Sequence, residues 1–393
     1  MTDALVVPPP TSPTRGERAL AWREVDLDAV RHNVRLLASA SAPAELMVVV
    51  KADAYSHGAP QVARAALEAG ATHLGVAILE EAFALRRAGI ESRLFAWLAA
   101  PRAPYAEAIG LDIEVAAYSG AQLAEIAAAA RAMRVPAQVH LKAETGMWRG
   151  GAADEWPALV ALAHRYEQEG LVRVVGVWSH LACADEVDHP ATDEQRDSFL
   201  RAVEVAEAAG LRPRLRHLAN SAATLTRPDL RFDLVRCGLA AYGVNPLVGQ
   251  PAPVDLRQAM TVRARVTHVK DAPAGAGVSY GHTYRTSAAT RLALVPVGYA
   301  DGLPVLAGGG GTVGVAGASA AIAGRVCMDQ FVVDLGDLPV APGDRVTLLG
   351  PGHDGEPTAE QWSAVSGRSR YETLTALGRD RLPPVYVGER AAT

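Results

Sequence analysis

The segment LMVVVKADAYSHG, residues 46–58, changes abruptly from apolar to polar side chains. Its apolar half ends in three consecutive valines and is typical of a buried β-strand. Lys51 follows where that strand would end, so its amine would be partly removed from water, which lowers the pKa of a lysine. A deprotonated amine can form a Schiff base with an aldehyde or carry a proton. Taken alone, the segment is also compatible with an ordinary surface lysine.

The composition is that of a globular chain. Of its 393 residues 49% are apolar, and the formal net charge of −5 gives no reason to expect a nucleic acid or an anionic membrane as partner. Cys183, Cys237 and Cys327 are widely spaced, which argues against a disulfide framework or a zinc site and fits a reducing cytoplasm. The proline-rich residues 1–20 lack the pattern of a secretory signal and are predicted to form a disordered tail.

Short apolar runs alternate with helix-like amphipathic segments from residue 21 to residue 250. Eight such strand–helix units predict an α/β fold, a TIM-like (β/α)8 barrel. A doubly wound parallel sheet is the structural alternative. Asp26 is placed to cap the helix that precedes the first run. The runs are residues 46–50, 74–78, 94–98, 113–115, 137–141, 174–178, 215–218 and 232–235.

The sequence pattern changes near residue 250, where residues 246–253 are rich in proline and glycine and resemble a linker. Beyond them, strand-like runs are separated by turns of glycine, proline and aspartate, and long helical patterns are scarce before residue 360. We therefore predict a mostly β second domain over residues 251–393. Its strand-like runs are residues 260–269, 291–297, 313–316 and 331–335.

Polar residues follow the predicted barrel strands at the end where such barrels carry their active sites. Each of these residues by itself has an ordinary explanation, such as a hydrogen-bonded core histidine or a turn with a salt bridge. Because they all fall on one predicted face, we expect them to form a single site. The residues are Lys51 after the first run, Lys142 and Arg149 after the fifth, His180 after the sixth, His217, Asn220 and Ser221 at the end of the seventh, and Arg236 and Gly238 after the eighth.

Two of these clusters indicate a phosphate ligand. Asn220 and Ser221 begin a helix, where backbone N–H groups and a hydroxyl suit a phosphate, although an ordinary helix N-cap is the alternative. Gly238 lets the backbone approach an anion closely. A phosphate site after the last two strands, together with a desolvated Lys51, indicates pyridoxal 5′-phosphate (PLP), an aldehyde that carries a phosphate.

A series of ordered sequence blocks between residues 22 and 385 resembles the motifs of the bacterial alanine racemases. The resemblance implies a PLP-binding barrel followed by a β domain. It also implies a homodimer with two shared active sites, since one catalytic group would come from the partner subunit. The blocks are residues 51–58, 142–149, 179–180, 219–222, 235–238, 278–281, 298–302 and 324–329.

The resemblance implies two bases. Lys51 would hold PLP and act on one face of the substrate Cα, and Tyr280 of the partner subunit would act on the opposite face. Racemisation needs two such groups, because one removes the proton and the other returns it on the other side. A phenol, with an ordinary pKa near 10, needs help to ionise. His180 and Arg236 match family positions close to this network.

Arg236 is also expected to face the pyridine nitrogen of PLP. Arginine stays protonated, so it would donate a hydrogen bond without handing the ring a proton, which leaves a weaker electron sink. That should limit the lifetime of the carbanion and suppress transamination. By the same resemblance, the residues expected to hold the phosphate are Tyr55, Ser221 and Tyr371, with the backbone of Gly238 and Leu239. Asn220, beside Ser221, is also expected to be a cofactor-binding residue.

At the substrate end, the resemblance implies that Arg149 contacts the phenolic oxygen of PLP and the substrate carboxylate. The backbone of Met328 would meet the same carboxylate, and Tyr299 and Asp329 would line the entrance or orient the site. Lys142 matches a position that is often carbamylated in the family, which would create an anion that orients Arg149.

The chain departs from the family pattern at several positions. Ser56 and Glu144 replace a usual glycine and aspartate, and Trp148 is bulky where small residues are common. We expect Trp148 to pack, and the alternative is that it narrows or reshapes the substrate end beside Arg149. These differences bear on substrate preference more than on reaction type. We expect interconversion of L-alanine and D-alanine that supplies D-alanine for peptidoglycan. The alternatives are a racemase of broader or different preference such as serine, a non-catalytic PLP-binding protein of cofactor homeostasis, and a fold-related decarboxylase.

Overall fold

The structure, a computed structural model, describes residues 19–377 and 381–389. The tail predicted over residues 1–20 lies outside the described residues except for its last two positions. The described chain forms two compact units, residues 26–259 with 387–389 and residues 19–25 with 260–377 and 381–386. Within these described ranges, every helix is too short or too polar to cross a membrane.

The first unit is an eight-stranded parallel barrel whose strands follow one another in chain order. The last two strands of the barrel are joined by backbone hydrogen bonds, which the N–H of Asp233 donates to Arg216 (3.1 Å) and the N–H of Arg236 donates to Ala219 (3.0 Å), and these bonds close the barrel. The predicted (β/α)8 barrel is therefore confirmed, and the doubly wound alternative is wrong. Strand β1 (Ala21–Asp26) precedes the barrel in sequence. The barrel strands are β2 Glu45–Val49, β3 His73–Ile78, β4 Arg93–Leu98, β5 Glu114–Ala117, β6 Ala137–Lys142, β7 Val172–Trp178, β8 Leu215–His217 and β9 Leu234–Cys237.

Helices cover the outside of the barrel strands, which explains why those strands are apolar on both faces. The first helix, α1 (Leu27–Ser41), begins at Asp26, whose carboxylate accepts hydrogen bonds from the N–H groups of Asp28 and Ala29. The remaining helices are α2 Lys51–Ser56, α3 Ala59–Glu68, α4 Leu79–Arg87, α5 Tyr105–Gly110, α6 Gly120–Met133, α7 Trp156–Gln168, α8 Ala191–Ala208 and α9 Ser221–Thr226, with 3-10 turns at Pro228–Leu230 and Leu239–Tyr242.

The second unit is built on a nine-stranded sheet, as the mostly β pattern predicts. Strand β1 pairs with β10 in this sheet although it precedes the barrel in sequence. The predicted run 260–269 is two strands, because the chain leaves the first at Arg265 and enters the second at His268. The elements are β10 Met260–Arg265, β11 His268–Ala272, β12 Gly277–Val278, β13 Tyr284–Arg285, β14 Thr290–Val295, β15 Thr312–Val315, β16 Ala318–Ile322, β17 Phe331–Gly336, β18 Arg345–Leu349, α10 Ala359–Ser366, α11 Arg370–Ala376 and β19 Pro384–Val387, with 3-10 turns at Tyr280–His282, Tyr299–Asp301 and Val305–Gly309.

Candidate active site

Lys51 follows strand β2 and begins the short element α2, whose backbone is a turn of left-handed sense and not a regular α-helix. Residues 52–55 have φ between 51° and 55°, and Ser56 has a φ of 64°. Left-handed backbone costs roughly 1–2 kcal/mol for each residue with a Cβ, and this turn contains no glycine. The carboxylate of Glu81 accepts a hydrogen bond from the N–H of Ala52 (2.6 Å), and Asp53 accepts one from the N–H of Ala59 (2.7 Å). These bonds hold a strained turn at the end of a strand, where function often stores strain.

The amine of Lys51 lies in surroundings that favour its neutral form. Burial is the largest cause that lowers the pKa of Lys51, the positive charge of Arg149 adds to it, and Glu81 opposes it. The Nζ atom lies 5.7 Å from the centre of the Trp97 ring. A lysine with a lowered pKa at the carboxyl end of a barrel strand is suited to nucleophilic and proton-transfer chemistry.

Arg236, within strand β9, is buried and held by acceptors on both of its terminal nitrogens. Its Nη1 donates to Nδ1 and to the carbonyl oxygen of His217, at 3.1 and 2.8 Å. Its Nη2 donates to the carbonyl oxygens of Ser179 (2.6 Å) and Leu218 (3.2 Å) and to Nδ1 of His180 (3.2 Å). Of the donors of this guanidinium, Nε–H alone has no hydrogen-bond acceptor among residues 19–377 and 381–389.

Burial lowers the pKa of Arg236 to about 9, so the guanidinium remains a cation at neutral pH. Burial and the nearby charge of Arg236 also hold the pKa of His180 well below its ordinary value. His180 is therefore a neutral imidazole whose Nδ1 accepts a hydrogen bond from the guanidinium.

Hydroxyl and backbone groups converge between helix α9 and the end of strand β9. The hydroxyl oxygen of Ser221 accepts hydrogen bonds from the N–H groups of Gly238 (3.0 Å) and Ala240 (3.4 Å). A Cβ at Gly238 would lie only 2.4 Å from the hydroxyl oxygen of Tyr55, so the close approach requires glycine. The side chain of Asn220 caps α9 by accepting from the N–H of Ala223 (3.1 Å). This cradle of hydroxyl and N–H groups matches the donors that an anion requires.

Lys142 ends strand β6 as a buried cation. Its Nζ atom lies 4.8 Å from the centres of both the Tyr118 and the Trp178 rings. Burial first, and then the charges of Arg149 and Arg236, lower the pKa of Lys142 to about 8. The barrel therefore holds two desolvated lysines, Lys51 and Lys142, and the positive charge of Arg149 lowers the pKa of both.

The loop after Lys142 is organised by Glu144. Its carboxylate accepts hydrogen bonds from the N–H groups of Gly146 (2.7 Å) and Trp148 (2.9 Å). Burial by itself would raise the pKa of Glu144, but the backbone N–H groups hold it below its ordinary value. Trp148 has a φ of 54° and is 81% exposed, so it does not pack against other described residues of its own chain. The loop thus presents Trp148 and Arg149 side by side on the surface.

The predicted residues of the β unit lie in three segments that touch one another. The N–H of Tyr299 donates to the carbonyl oxygen of Cys327 (3.0 Å), and the N–H of Ala300 donates to that of Met328 (3.0 Å). The hydroxyl of Ser279, beside Tyr280, donates to the carbonyl oxygen of Arg325 (2.6 Å). The structure therefore brings Tyr280, Tyr299 and Met328 into one exposed cluster.

The other two predicted residues of this unit have different surroundings. Asp329 forms an ion pair with Arg381 (2.8 Å), which also pairs with Asp301 (3.1 Å). Tyr371 lies in the first turn of helix α11 and is 46% exposed.

Sequence reasoning missed Glu114 and His140, two buried residues inside the barrel. Glu114 is 1% exposed and His140 is fully buried, and their side chains are 2.7 Å apart. A carboxylate and an imidazole in the middle of apolar strands were the available signal, since such groups are seldom buried without a partner.

Comparison with known proteins agrees with this architecture. Residues 25–246 match the family model of the alanine racemase N-terminal domain, and residues 259–386 match that of the alanine racemase C-terminal domain. The chain is 54% identical to the alanine racemase of Salinispora tropica over 367 residues, which is 93% of this chain and 98% of that protein. It is 50% identical to the alanine racemase of Thermobifida fusca, over 94% of this chain and 99% of that protein.

Solved structures give the same result. The crystal structure of alanine racemase from D-cycloserine-producing Streptomyces lavendulae has a TM-score of 0.92 at 49% identity, covering 97% of this chain and 99% of that one. The alanine racemase of Streptomyces coelicolor also has a TM-score of 0.92, at 50% identity, covering 95% of this chain and 99% of that one. In both sequence and fold, this chain belongs to the alanine racemase family of isomerases.

Proposed function

We propose that this chain is a PLP-dependent racemase that interconverts L-alanine and D-alanine. The observation that carries the proposal is that one barrel holds both Lys51, whose pKa is lowered by burial, and Arg236, whose Nε–H is left open when its terminal nitrogens are bonded. Membership in the alanine racemase family gives the reaction its substrate.

The barrel residues fit PLP group by group. The Lys51 amine suits the aldehyde, and the Nε–H of Arg236 suits the pyridine nitrogen. The hydroxyls of Tyr55 and Ser221, with the backbone beside Gly238, suit the phosphate, and we infer that Leu239, Asn220 and Tyr371 complete this end. When bound, PLP withdraws electrons from the substrate Cα and so makes its proton acidic.

The residues of the chain then supply proton transfer and orientation. Lys51 removes or returns the Cα proton on one face, and Tyr280 of the partner subunit does so on the other. Arg149 and the backbone of Met328 hold the substrate carboxylate, so that the Cα–H bond faces a base. Arg236 donates from Nε–H and keeps its own proton, which limits the electron withdrawal by the ring. His180 holds Arg236, while Lys142, Tyr299 and Asp329 support this arrangement.

The proposal includes a homodimer, because Tyr280 would act across an interface. Tyr280 is 70% exposed within this chain, as a residue that completes another subunit's site must be. We also infer that the enzyme acts in a reducing cytoplasm and supplies D-alanine for peptidoglycan. Cys183, Cys237 and Cys327 are free thiols, which fits that compartment.

The experiment that tests the function is chiral chromatography of L-alanine and L-serine, incubated separately with purified protein and PLP. We expect D-alanine to approach an equal mixture with L-alanine, and serine to react much more slowly. Faster conversion of serine would overturn the assignment of alanine as the main substrate. Bound PLP without any D-product from either amino acid would overturn the racemase assignment.

Substitution of Gly238 by alanine tests the phosphate cradle. The added methyl group would overlap the hydroxyl of Tyr55 and force it away, because a Cβ at this position would lie 2.4 Å from the hydroxyl oxygen. Loss of one hydrogen bond to a charged group costs about 1.5–3 kcal/mol, so we expect PLP affinity to fall about 10- to 100-fold. Absorbance titration of the apoprotein measures this. The control is Gly309→Ala, whose Cβ would meet nothing within 4 Å. Equal PLP affinity of the two variants would remove Gly238 and Tyr55 from the phosphate site.

A further inference from the structure

A line of buried side chains runs through the barrel interior to Arg236. Nη1 of Arg236 lies 3.1 Å from Nδ1 of His217, and Nε2 of His217 lies 2.9 Å from Nδ1 of His140. Nε2 of His140 then lies 2.7 Å from Oε2 of Glu114. None of these four residues is more than 5% exposed. The proposed function assigns no role to Glu114, His140 or His217.

The hydrogen bonds in this line have one consistent direction. Arginine can only donate, so Nδ1 of His217 must accept, and the proton of the neutral ring is on Nε2. That N–H donates to Nδ1 of His140, which places the proton of His140 on its own Nε2. Nε2–H of His140 then donates to the carboxylate of Glu114. Each imidazole is therefore held in a single tautomer by the hydrogen bond on its far side.

Glu114 ends the line as a fixed negative charge. Its second oxygen, Oε1, is paired with Arg93, whose Nη2 lies 2.6 Å away. Burial opposes ionisation, but the bonds from His140 and Arg93 lower the pKa of Glu114 to about 2. The carboxylate therefore accepts hydrogen bonds at both oxygens and remains ionised at neutral pH.

Aromatic rings pack against the imidazoles and the guanidinium of this line. The Phe95 ring packs on that of His140, with 4.3 Å between the ring centres. Trp178 is parallel to His217 within 3°, and the guanidinium of Arg236 lies 5.2 Å from the centre of the Trp178 ring. These contacts limit rotation of both imidazoles and of the guanidinium plane.

We propose that Glu114, His140 and His217 are positioning residues, which orient Arg236 so that its Nε–H is presented to the ring nitrogen of the cofactor. This inference rests on the proposed function. The carboxylate of Glu114 fixes the tautomer of His140, and His140 in turn fixes the tautomer of His217. His217 therefore offers Arg236 a hydrogen-bond acceptor in a fixed place. Without Glu114, either imidazole can take its other tautomer, which would turn an N–H of His217 towards the guanidinium and displace it.

The test is PLP binding to apoprotein, measured by absorbance titration, rather than turnover. Glu114→Gln preserves the shape of the side chain and removes its charge. We expect this variant to bind PLP roughly tenfold more weakly. The matched probe is a PLP analogue with C–H in place of the ring nitrogen. Glu114→Gln should bind that analogue as tightly as the unaltered chain does, because the ring can no longer accept a hydrogen bond from Arg236.

A double-substitution cycle separates positioning from a merely structural role. In an Arg236→Lys background, the further change Glu114→Gln should have no effect on PLP affinity, since the group through which it acts is gone. Unchanged PLP affinity of the single Glu114→Gln variant would overturn the proposal. Equal losses for PLP and for its analogue, or additive losses with Arg236→Lys, would do the same.

A second variant keeps the test available if Glu114→Gln does not fold. His140→Gln interrupts the same line one bond nearer to Arg236 and carries the same expectations for PLP and its analogue. Racemisation of L-alanine by the unaltered chain is measured in parallel. If that reaction is absent, the proposed function fails, whereas the binding comparisons alone decide whether Glu114 positions Arg236.

Discussion

Lys51→Ala should abolish racemisation, with turnover lower by roughly 10⁴-fold or more, because one residue is both the attachment point of the cofactor and a base. The absorbance of covalently bound PLP should disappear from the purified variant. Thermal unfolding should change little, since the burial and the repulsion by Arg149 that disfavour the charge of Lys51 offset its attraction to Glu81. Chiral chromatography and an absorbance spectrum measure both effects.

The chain allows a clear control, because it contains three lysines, Lys51, Lys142 and Lys270. Reduction of the PLP-bound protein with borohydride, followed by peptide mapping, should place the cofactor on Lys51. Lys142 is the relevant competitor, since burial lowers its pKa to about 8. Lys270 is exposed on strand β11, so Lys270→Ala should keep full turnover. A label on Lys142, or persistent turnover of Lys51→Ala, would refute the assignment.

Tyr280→Phe should retain bound PLP but lose its activity unequally with the two enantiomers of alanine. The phenol is proposed as the base on one face only, and loss of a general base typically lowers a rate by about 10²–10⁴-fold. We expect exchange of the Cα proton with solvent to fall strongly for L-alanine and much less for D-alanine. Isotope exchange in deuterated water measures this. Tyr284→Phe is the control, because that hydroxyl instead donates to Asp334 (2.7 Å). Equal losses with both enantiomers would contradict one base on each face.

Mixing the two inactive variants tests whether the site is shared between subunits. If each site combines Lys51 of one subunit with Tyr280 of the other, a mixed dimer of Lys51→Ala and Tyr280→Phe contains one intact site. Random reassociation of equal amounts should then restore about a quarter of the unaltered activity, since half of the dimers are mixed and each has one good site of two. No restoration after confirmed subunit exchange would show that both bases come from one chain.

The barrel could be predicted because its physical cause is local. Parallel strands buried on both faces need continuous apolar runs such as residues 46–50, and the helices between them need a 3.6-residue period. The position of Lys51 and Arg236 near the carboxyl ends of strands follows from the same pattern. Strand β1 was harder to place, since its partner β10 lies more than 230 residues away in sequence. Nothing in residues 21–26 alone indicates that pairing.

The finer geometry of the site was not accessible from the pattern. The turn after Lys51 is left-handed although residues 52–56 contain no glycine, because carboxylates of Glu81 and Asp53 hold it. Trp148 is bulky and apolar, which favours burial, yet the hydrogen bonds of Glu144 to the loop leave it on the surface. In both places hydrogen bonds to a carboxylate outweigh the preference of the residue. The bond from Ala52 to Glu81 joins distant parts of the chain, whereas those to Asp53 and Glu144 lie within one loop.

The barrel, the β unit and the family could all be recognised in the order of the residues, because apolar periodicity and ordered motifs are properties of neighbouring positions. Folding was needed to show which donor of Arg236 is open, and that Glu114, His140 and His217 are joined to it. Those bonds link strands β5, β6, β8 and β9, and they exist only once a closed barrel turns side chains from distant parts of the chain into a common interior.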